Sequence, residues 1–313
     1  MGIHQAMVDA RTINPPHARN RTYHILGALV LAVNKLRYAI LGYRRPRGFS
    51  PAQIDRCIKY DFEVVDSWLG YLDAYLGKPA NISGKNILEL GPGQDLGVGL
   101  ILLAKGIRKY SAIDANNLLA QSSGKFYKAH FRRLEEKALD KAIVDELRRE
   151  LERTQSGQNN RLNYIWREDF DLSVLDGEGV DFVFSQAAFE HFDEVDRTIG
   201  QLSSVVSPGA VLLAVVDLQT HTRWFRRRDP LNIYRYSDFY YRLCRYASQP
   251  NRLRPIEYHK ILADNGWRNI QIRPLDVLDL DYLRKVKPHL NERFDAEDNQ
   301  MEYLSVVICA TKE

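Results

Sequence analysis

The stretch from Asn86 to Asn116, NILELGPGQDLGVGLILLAKGIRKYSAIDAN, constrains the fold more than any other part of the chain. Ile87-Leu88-Glu89-Leu90 is a short apolar run suited to a central parallel strand. Gly91-Pro92-Gly93 then allows a sharp turn in which the backbone approaches a ligand where a Cβ would collide. Leu96 to Leu103 opens a helix, and Tyr110 to Ile113 makes a second strand with Asp114 at its carboxyl end. An acid at that edge accepts both hydrogens of a ribose diol, so the unit reads as a nucleoside-binding βαβ segment. Its candidate contacts are Glu89, Gly91, Gly93, Asp114 and Asn116. A dinucleotide fingerprint would place a third glycine at position 96, where Leu96 stands and Gly97 follows, which disfavours a pyrophosphate.

The acid two places before Gly91, together with the acid closing the next strand, resembles motif I and its successor in class I S-adenosylmethionine-dependent methyltransferases. That resemblance covers Asn86 to about Asp217. It implies S-adenosyl-L-methionine as cofactor and an α/β, Rossmann-like, doubly wound seven-stranded sheet with a last antiparallel strand. Leu162 to Trp166 fits a third strand, and Glu168-Asp169-Phe170 after it resembles the family's adenine contacts, a carboxylate for the exocyclic amine and a ring for the base face. Asp171 competes as that acid, its alternative role being to cap the following helix. Val180 to Phe184 is a fourth strand. The segment SQAAFEHF after it, Ser185 to Phe192, resembles the S-x-x-x-x-E-H segment common in small-molecule members, where the strand end lies beside the transferable methyl. Ser185 joins the cofactor candidates on that ground. The N-P-P-Y tetrapeptide of amino-methylating nucleic-acid enzymes and the Pro-Cys nucleophile of cytosine carbon methylation are both absent, which disfavours a base as substrate.

Ser207-Pro208-Gly209 reads as a turn and Ala210 to Val216 as a fifth strand that runs into Asp217 and His221. An imidazole at this edge suits general-base work at neutral pH. His221 is the first candidate and His191 its rival, with a scaffold hydrogen bond as the plainer role for His191. Ser185 and Gln186 stand where a metal-binding relative would carry an acid, so no metal is expected. From Thr222 to Arg254 the composition shifts to Arg, Tyr and Asn, as in a substrate cap. Arg223, Tyr234, Tyr236, Asn251, Arg252 and Arg254 are its candidate contacts to a polar or anionic acceptor. An RNA-binding arm has the same composition. Ile256 to Asn265 reads as a helix stopped by Gly266, with strands at Trp267 to Arg273 and Tyr303 to Thr311 forming an antiparallel hairpin.

Residues 1–80 are expected to form a helical cover and 81–313 the methyltransferase domain, with insertions at 117–161 and 222–255. In the cover, Ile25 to Val33 is an apolar run too short to cross a bilayer. Ile25, Leu29, Ala32, Val33, Leu36 and Ile40 continue one amphipathic face, flanked by Arg19, Arg21, Arg44, Arg45 and Arg47. Packing over the cofactor site is the favoured fate of that helix, and peripheral contact with a membrane through residues 25–40 the less favoured one. No signal-peptide cleavage site follows it. Ser50-Pro51 caps a long helix carrying Ile54, Ile58, Phe62, Val65, Leu69, Leu72 and Leu76, ended by Gly77, with Tyr60 and Asp61 as residues that face the pocket. The first insertion reads as helical, its apolar face being Tyr127, Phe131, Leu134, Ala138, Ile143, Leu147 and Leu151, closed by a loop at Ser156 to Asn160. Cys57, Cys244 and Cys309 lack any paired spacing, which fits a reducing cytoplasm. A net charge of +4 is small for a protein that grips polyanions, so nucleic acid is not implied. The reading that results is O-methylation of a hydroxyl on a polar or polyhydroxylated small molecule. An RNA-modifying enzyme using the Arg-rich insertion and a catalytically silent binding subunit are the alternatives.

Overall fold

All five residues of β2 (Asn86–Leu90) are buried, as a strand in the middle of a parallel sheet requires. The computed structural model describes residues 10–41, 51–119, 124–137, 139–158, 160–246 and 249–313. Arg44, Arg45, Arg47, Ser50, Ala138 and Asn159 lie outside them. Besides β2, the strands are β1 (Arg11–Ile13), β3 (Lys109–Asp114), β4 (Leu162–Trp166), β5 (Val180–Gln186), β6 (Val206–Asp217), β7 (Trp267–Leu278) and β8 (Tyr303–Lys312). They form an eight-stranded sheet in the order β1-β7-β8-β6-β5-β2-β3-β4. β8 runs antiparallel to β6 and β7, and the other pairs are parallel. From β2 the chain winds outward through β3 and β4, then returns to β5 and winds the other way. The switch between β2 and β5 opens a crevice at the strands' carboxyl ends, where open α/β sheets bind ligands.

The expected fold class holds, with one strand more than the seven expected. The extra strand, β1, comes from the segment read as helical cover, and it adds in parallel to the edge of β7 with Arg11 paired to Asp276 at 2.8 Å. β6 begins at Val206 and absorbs the expected turn as an irregularity in its pairing with β5, where Gly209 takes φ +78°.

The helices are α1 (Asn20–Leu41), α2 (Pro51–Leu76), α3 (Gly97–Ala104), α4 (Gly124–Glu136), α5 (Lys141–Gln155), α6 (Val195–Val205), α7 (Arg223–Arg226), α8 (Asp238–Leu243), α9 (Pro255–Asp264) and α10 (Leu280–Val286). Alternation along the strands feeds two cores: Ile87 packs with Trp68, Leu100 and Phe126 on the α2–α5 face, while Leu88 and Leu90 pack with Ile199 and Trp267 on the other. Gly99 is required because a Cβ there would lie 2.5 Å from the Tyr110 ring. In the first insertion Val144, rather than Ile143, faces inward, and Ile143 is exposed.

A third core joins α1 to the second insertion through Leu31, Leu231, Tyr234, Tyr236, Tyr282 and Phe294. Here the structure extends the N-terminal reading. α1 has 22 residues and is long and apolar enough to cross a membrane by length and composition, although the run Ile25–Val33 alone is not. The face it buries is Tyr23, Gly27 and Leu31, while Ile25, Leu29, Val33, Leu36 and Ile40 are exposed. Gly27 sets this orientation, since a Cβ there would come within 2.1 Å of the Tyr236 hydroxyl and 2.2 Å of Asn232 Oδ1. The helix therefore covers the cap rather than the cofactor turn.

Candidate active site

The carboxyl ends of β2, β3, β4 and β5 border a crevice of about 1530 Å³, wide enough for a nucleoside cofactor and an acceptor together. Gly91, Asp114, Asn116, Asp169 and Phe170 line its inner part. Gly91 has φ +75°, and a Cβ on it would meet the Ala188 Cβ at 2.7 Å. Asp114 is held by two amides, Asn116 N to Oδ1 at 2.7 Å and Gly93 N to Oδ2 at 3.3 Å. Burial raises its pKa against those bonds, leaving a carboxylate ready for two more donors. Asp171 takes the capping role, accepting from Ser173 N, whereas Asp169 stands at the crevice and is bound by Arg167 at 2.7 and 3.0 Å. Phe170 adopts φ +49°, a left-handed conformation costly for an aromatic residue, and its ring centroid lies 4.8 Å from that of Phe192.

Two sequence candidates lie behind this surface instead. Glu89 is buried and accepts the Tyr110 hydroxyl at 2.5 Å, and Ser185 donates to the Leu90 carbonyl at 3.0 Å, so neither lines the crevice. Gly93 contributes its amide to Asp114. Asp61, expected to face the pocket, is buried with Glu89 and Asp95 below the glycine turn, where a Cβ at Gly97 would meet its Oδ2 at 2.2 Å. Burial pushes Glu89 up to about 8 and Asp95 to about 6, and raises Asp61 in the same direction.

His191 stands in the crevice wall, and His221 sits behind it, their rings 4.7 Å apart and edge to face. Asp217 Oδ2 is 3.4 Å from His221 Nε2 and is also paired with Arg226. Burial pushes Asp217 up, yet the nearby His221 imidazole and the hydrogen bond from Arg226 hold it below its ordinary value. The neighbouring Glu190 is buried with both carboxyl oxygens lacking a hydrogen-bond partner, and burial raises it to about 8. Of the two histidines, His191 lines the crevice and His221 does not. Among the described residues Glu190, His191 and His221 also bring donor atoms within 4.8 Å of one another, a grouping the expectation of no metal overlooked.

The cap candidates resolve differently from expectation. Tyr234 and Tyr236 are buried with their hydroxyls on the Leu218 and His24 carbonyls. Asn251 ties down the Phe189 and Phe192 carbonyls. Arg252 binds the Ile233 and Tyr236 carbonyls and Asp238, and Arg254 binds the carbonyls of Asn299, Gln300 and Tyr303. Arg223 is exposed away from the crevice. Their donors tie the cap to itself and to neighbouring segments at Phe189–Phe192 and Asn299–Tyr303. The cations lining the crevice are Lys35, Arg197, Arg242 and Arg245, of which Arg197 is paired with Glu194 and Arg245 with Asp193, and Tyr246 stacks on Tyr38 at 4.8 Å beside them. Nothing in the spacing of the Arg/Tyr-rich stretch separates these from the internal arginines.

A family model described as "Methyltransferase domain" matches residues 62–272, more than half of the chain. The chain belongs to the methyltransferase-domain family. No curated protein matches the sequence of this methyltransferase. Solved structures similar to it include the CurJ carbon methyltransferase, at 13% identity over 93% of this chain and 67% of that one, with a TM-score of 0.43. A putative sarcosine dimethylglycine methyltransferase from Galdieria sulphuraria is similar at 14% identity over 90% of this chain and 98% of that one, TM-score 0.43. Phosphoethanolamine N-methyltransferase 2 of Haemonchus contortus, in complex with S-adenosyl-L-methionine, is similar at 14% identity over 81% of this chain and 56% of that one, TM-score 0.43. Likenesses at these scores bear neither on the acceptor nor on the site residues.

The methyltransferase uses S-adenosyl-L-methionine. Its crevice fits that ligand: the bare backbone of Gly91 lines it at φ +75°, and the Asp114 carboxylate stands at a strand end with room for the ribose hydroxyls. Asp114→Ala is expected to weaken cofactor binding by roughly 1–3 kcal/mol, because it leaves ribose hydroxyls without their acceptor. Calorimetric titration of the variant checks this, and an unchanged affinity would move the ribose elsewhere.

Proposed function

We propose that this methyltransferase methylates an oxygen of a small polar acceptor, with His191 receiving the proton that the acceptor loses. The observation that carries the reading is the position of His191 in the crevice wall, backed by His221, Asp217 and Glu190. When bound, S-adenosyl-L-methionine supplies a methyl group already activated on sulfonium. The protein's share is then to align the acceptor, exclude water and take up one proton.

His191 is the group within reach of the acceptor hydroxyl. His221 orients it from behind by an edge-to-face contact, and Asp217 fixes His221 in turn. Lys35 and Arg242 in the lining, with the acids Glu168, Asp169, Asp193 and Glu194, offer both donors and acceptors, which supports an acceptor with several hydroxyls. The cysteines are unpaired, which supports a reducing, cytoplasmic setting. The test is a comparison of His191 and His221 variants in turnover and in cofactor affinity. Loss of turnover with affinity retained in His191→Ala supports the reading, and turnover near wild type removes it.

A further inference from the structure

The apolar stripe of α1 points away from the rest of the protein. Ile25, Leu29, Val33, Leu36 and Ile40 are between 57% and 70% exposed, although a globular chain normally turns such residues inward. At 100° per residue, Ile25 lies roughly 200° round the helix from Tyr23, and the same offset separates Leu29 from Gly27 and Val33 from Leu31. The stripe is thus opposite the seated face and runs about 22 Å along the helix axis. Leu26 widens it. The polar residues of α1 stand beside it: Arg21 and Lys35 on one flank, Arg37 on the other.

Charge decides what covers this face. Between Ala10 and Ile54 the sequence has eight basic residues and no acidic one, whereas the remainder has 36 basic against 40 acidic. The whole positive excess of the sequence therefore falls in the segment that contains this one helix. An apolar stripe flanked by lysine and arginine fits the headgroup region of an anionic bilayer, with the aliphatic residues in the acyl boundary and the cations at the phosphates. A second copy of the chain would bring the same cations together and meet repulsion.

We propose that α1 docks the methyltransferase flat on an anionic membrane surface. Flat docking keeps the contacts that hold the helix on the cap: Tyr240 hydroxyl to the Ala28 carbonyl at 2.8 Å, Asn232 to the Tyr23 carbonyl at 3.0 Å, and the close seat of Gly27. Spanning the bilayer would break all three. Lys35 belongs both to this helix and to the rim of the crevice, so docking holds the crevice mouth near the headgroups.

The experiment is flotation of the full chain with vesicles of phosphatidylcholine mixed with phosphatidylglycerol, against vesicles of phosphatidylcholine alone. Binding to the mixed vesicles, its reversal by high salt, and a roughly 10- to 100-fold drop in partitioning for the Leu29→Glu/Leu36→Glu variant are expected. Both positions are exposed, so the variant keeps its fold, which circular dichroism and unchanged cofactor affinity verify. No binding to the mixed vesicles, or equal salt-insensitive binding to both kinds, overturns the proposal. Self-association abolished by the same two substitutions without vesicle binding also overturns it and assigns the face to a second copy.

Discussion

His191→Ala is expected to lower turnover by roughly 100- to 10,000-fold while leaving the affinity for S-adenosyl-L-methionine nearly intact. The size follows from general-base catalysis on a hydroxyl, whose proton leaves only as the new bond to carbon forms. The selectivity follows from placement, because the candidate cofactor residues Gly91, Asp114 and Phe170 are separate from His191 in the crevice lining. His221→Ala is expected to do less, since its ring supports His191 from behind without reaching the crevice. Steady-state kinetics with calorimetry separates the two effects. Equal losses in both variants would make the histidines a single relay, and a loss confined to His221→Ala would return the base to the position expected from sequence.

The second large effect is on stability. Asp229 and Arg235 are fully buried in the cap and joined at 2.8 and 3.0 Å. Asp229 also accepts from Asn232 at 2.9 Å and from the Tyr282 hydroxyl at 3.3 Å, while Arg235 donates to Asn20 at 3.0 Å. The pair thus ties α1 and α10 to the second insertion. Asp229→Ala leaves a guanidinium buried without its counter-charge and is expected to cost about 3–5 kcal/mol. Replacing both residues by apolar ones of similar volume should recover much of that loss, because the desolvation cost of both charges disappears with them. Denaturant unfolding measures both. A single-variant cost under about 1 kcal/mol would mean that water reaches the pair.

The sheet and the cofactor turn were legible because their signals are local. Strand runs such as Ile87–Leu90 and Tyr110–Ile113 carry their own periodicity, and Gly91 and Asp114 act within a few residues of where they stand. β1 was not legible: three residues, Arg11–Ile13, pair with a strand more than 260 positions away, and nothing in their own sequence announces that partner. The cap failed for another reason. Arg252 and Arg254 have the donors of a ligand clamp, but buried carbonyls compete for those donors, and the outcome depends on tertiary packing that composition does not encode. The stripe of α1 was read correctly as amphipathic and wrongly as inward-facing, because the seat is chosen by Gly27 and Tyr23 rather than by the more apolar face.

Calorimetric titration of the wild-type protein with S-adenosyl-L-methionine, run beside a titration with NAD, tests the central claim most directly. The geometry of Gly91 and Asp114, and the absence of a third fingerprint glycine at Leu96, call for one saturable site for S-adenosyl-L-methionine, competed by its demethylated product, and no saturation with NAD. Saturable NAD binding with no response to S-adenosyl-L-methionine would contradict the account.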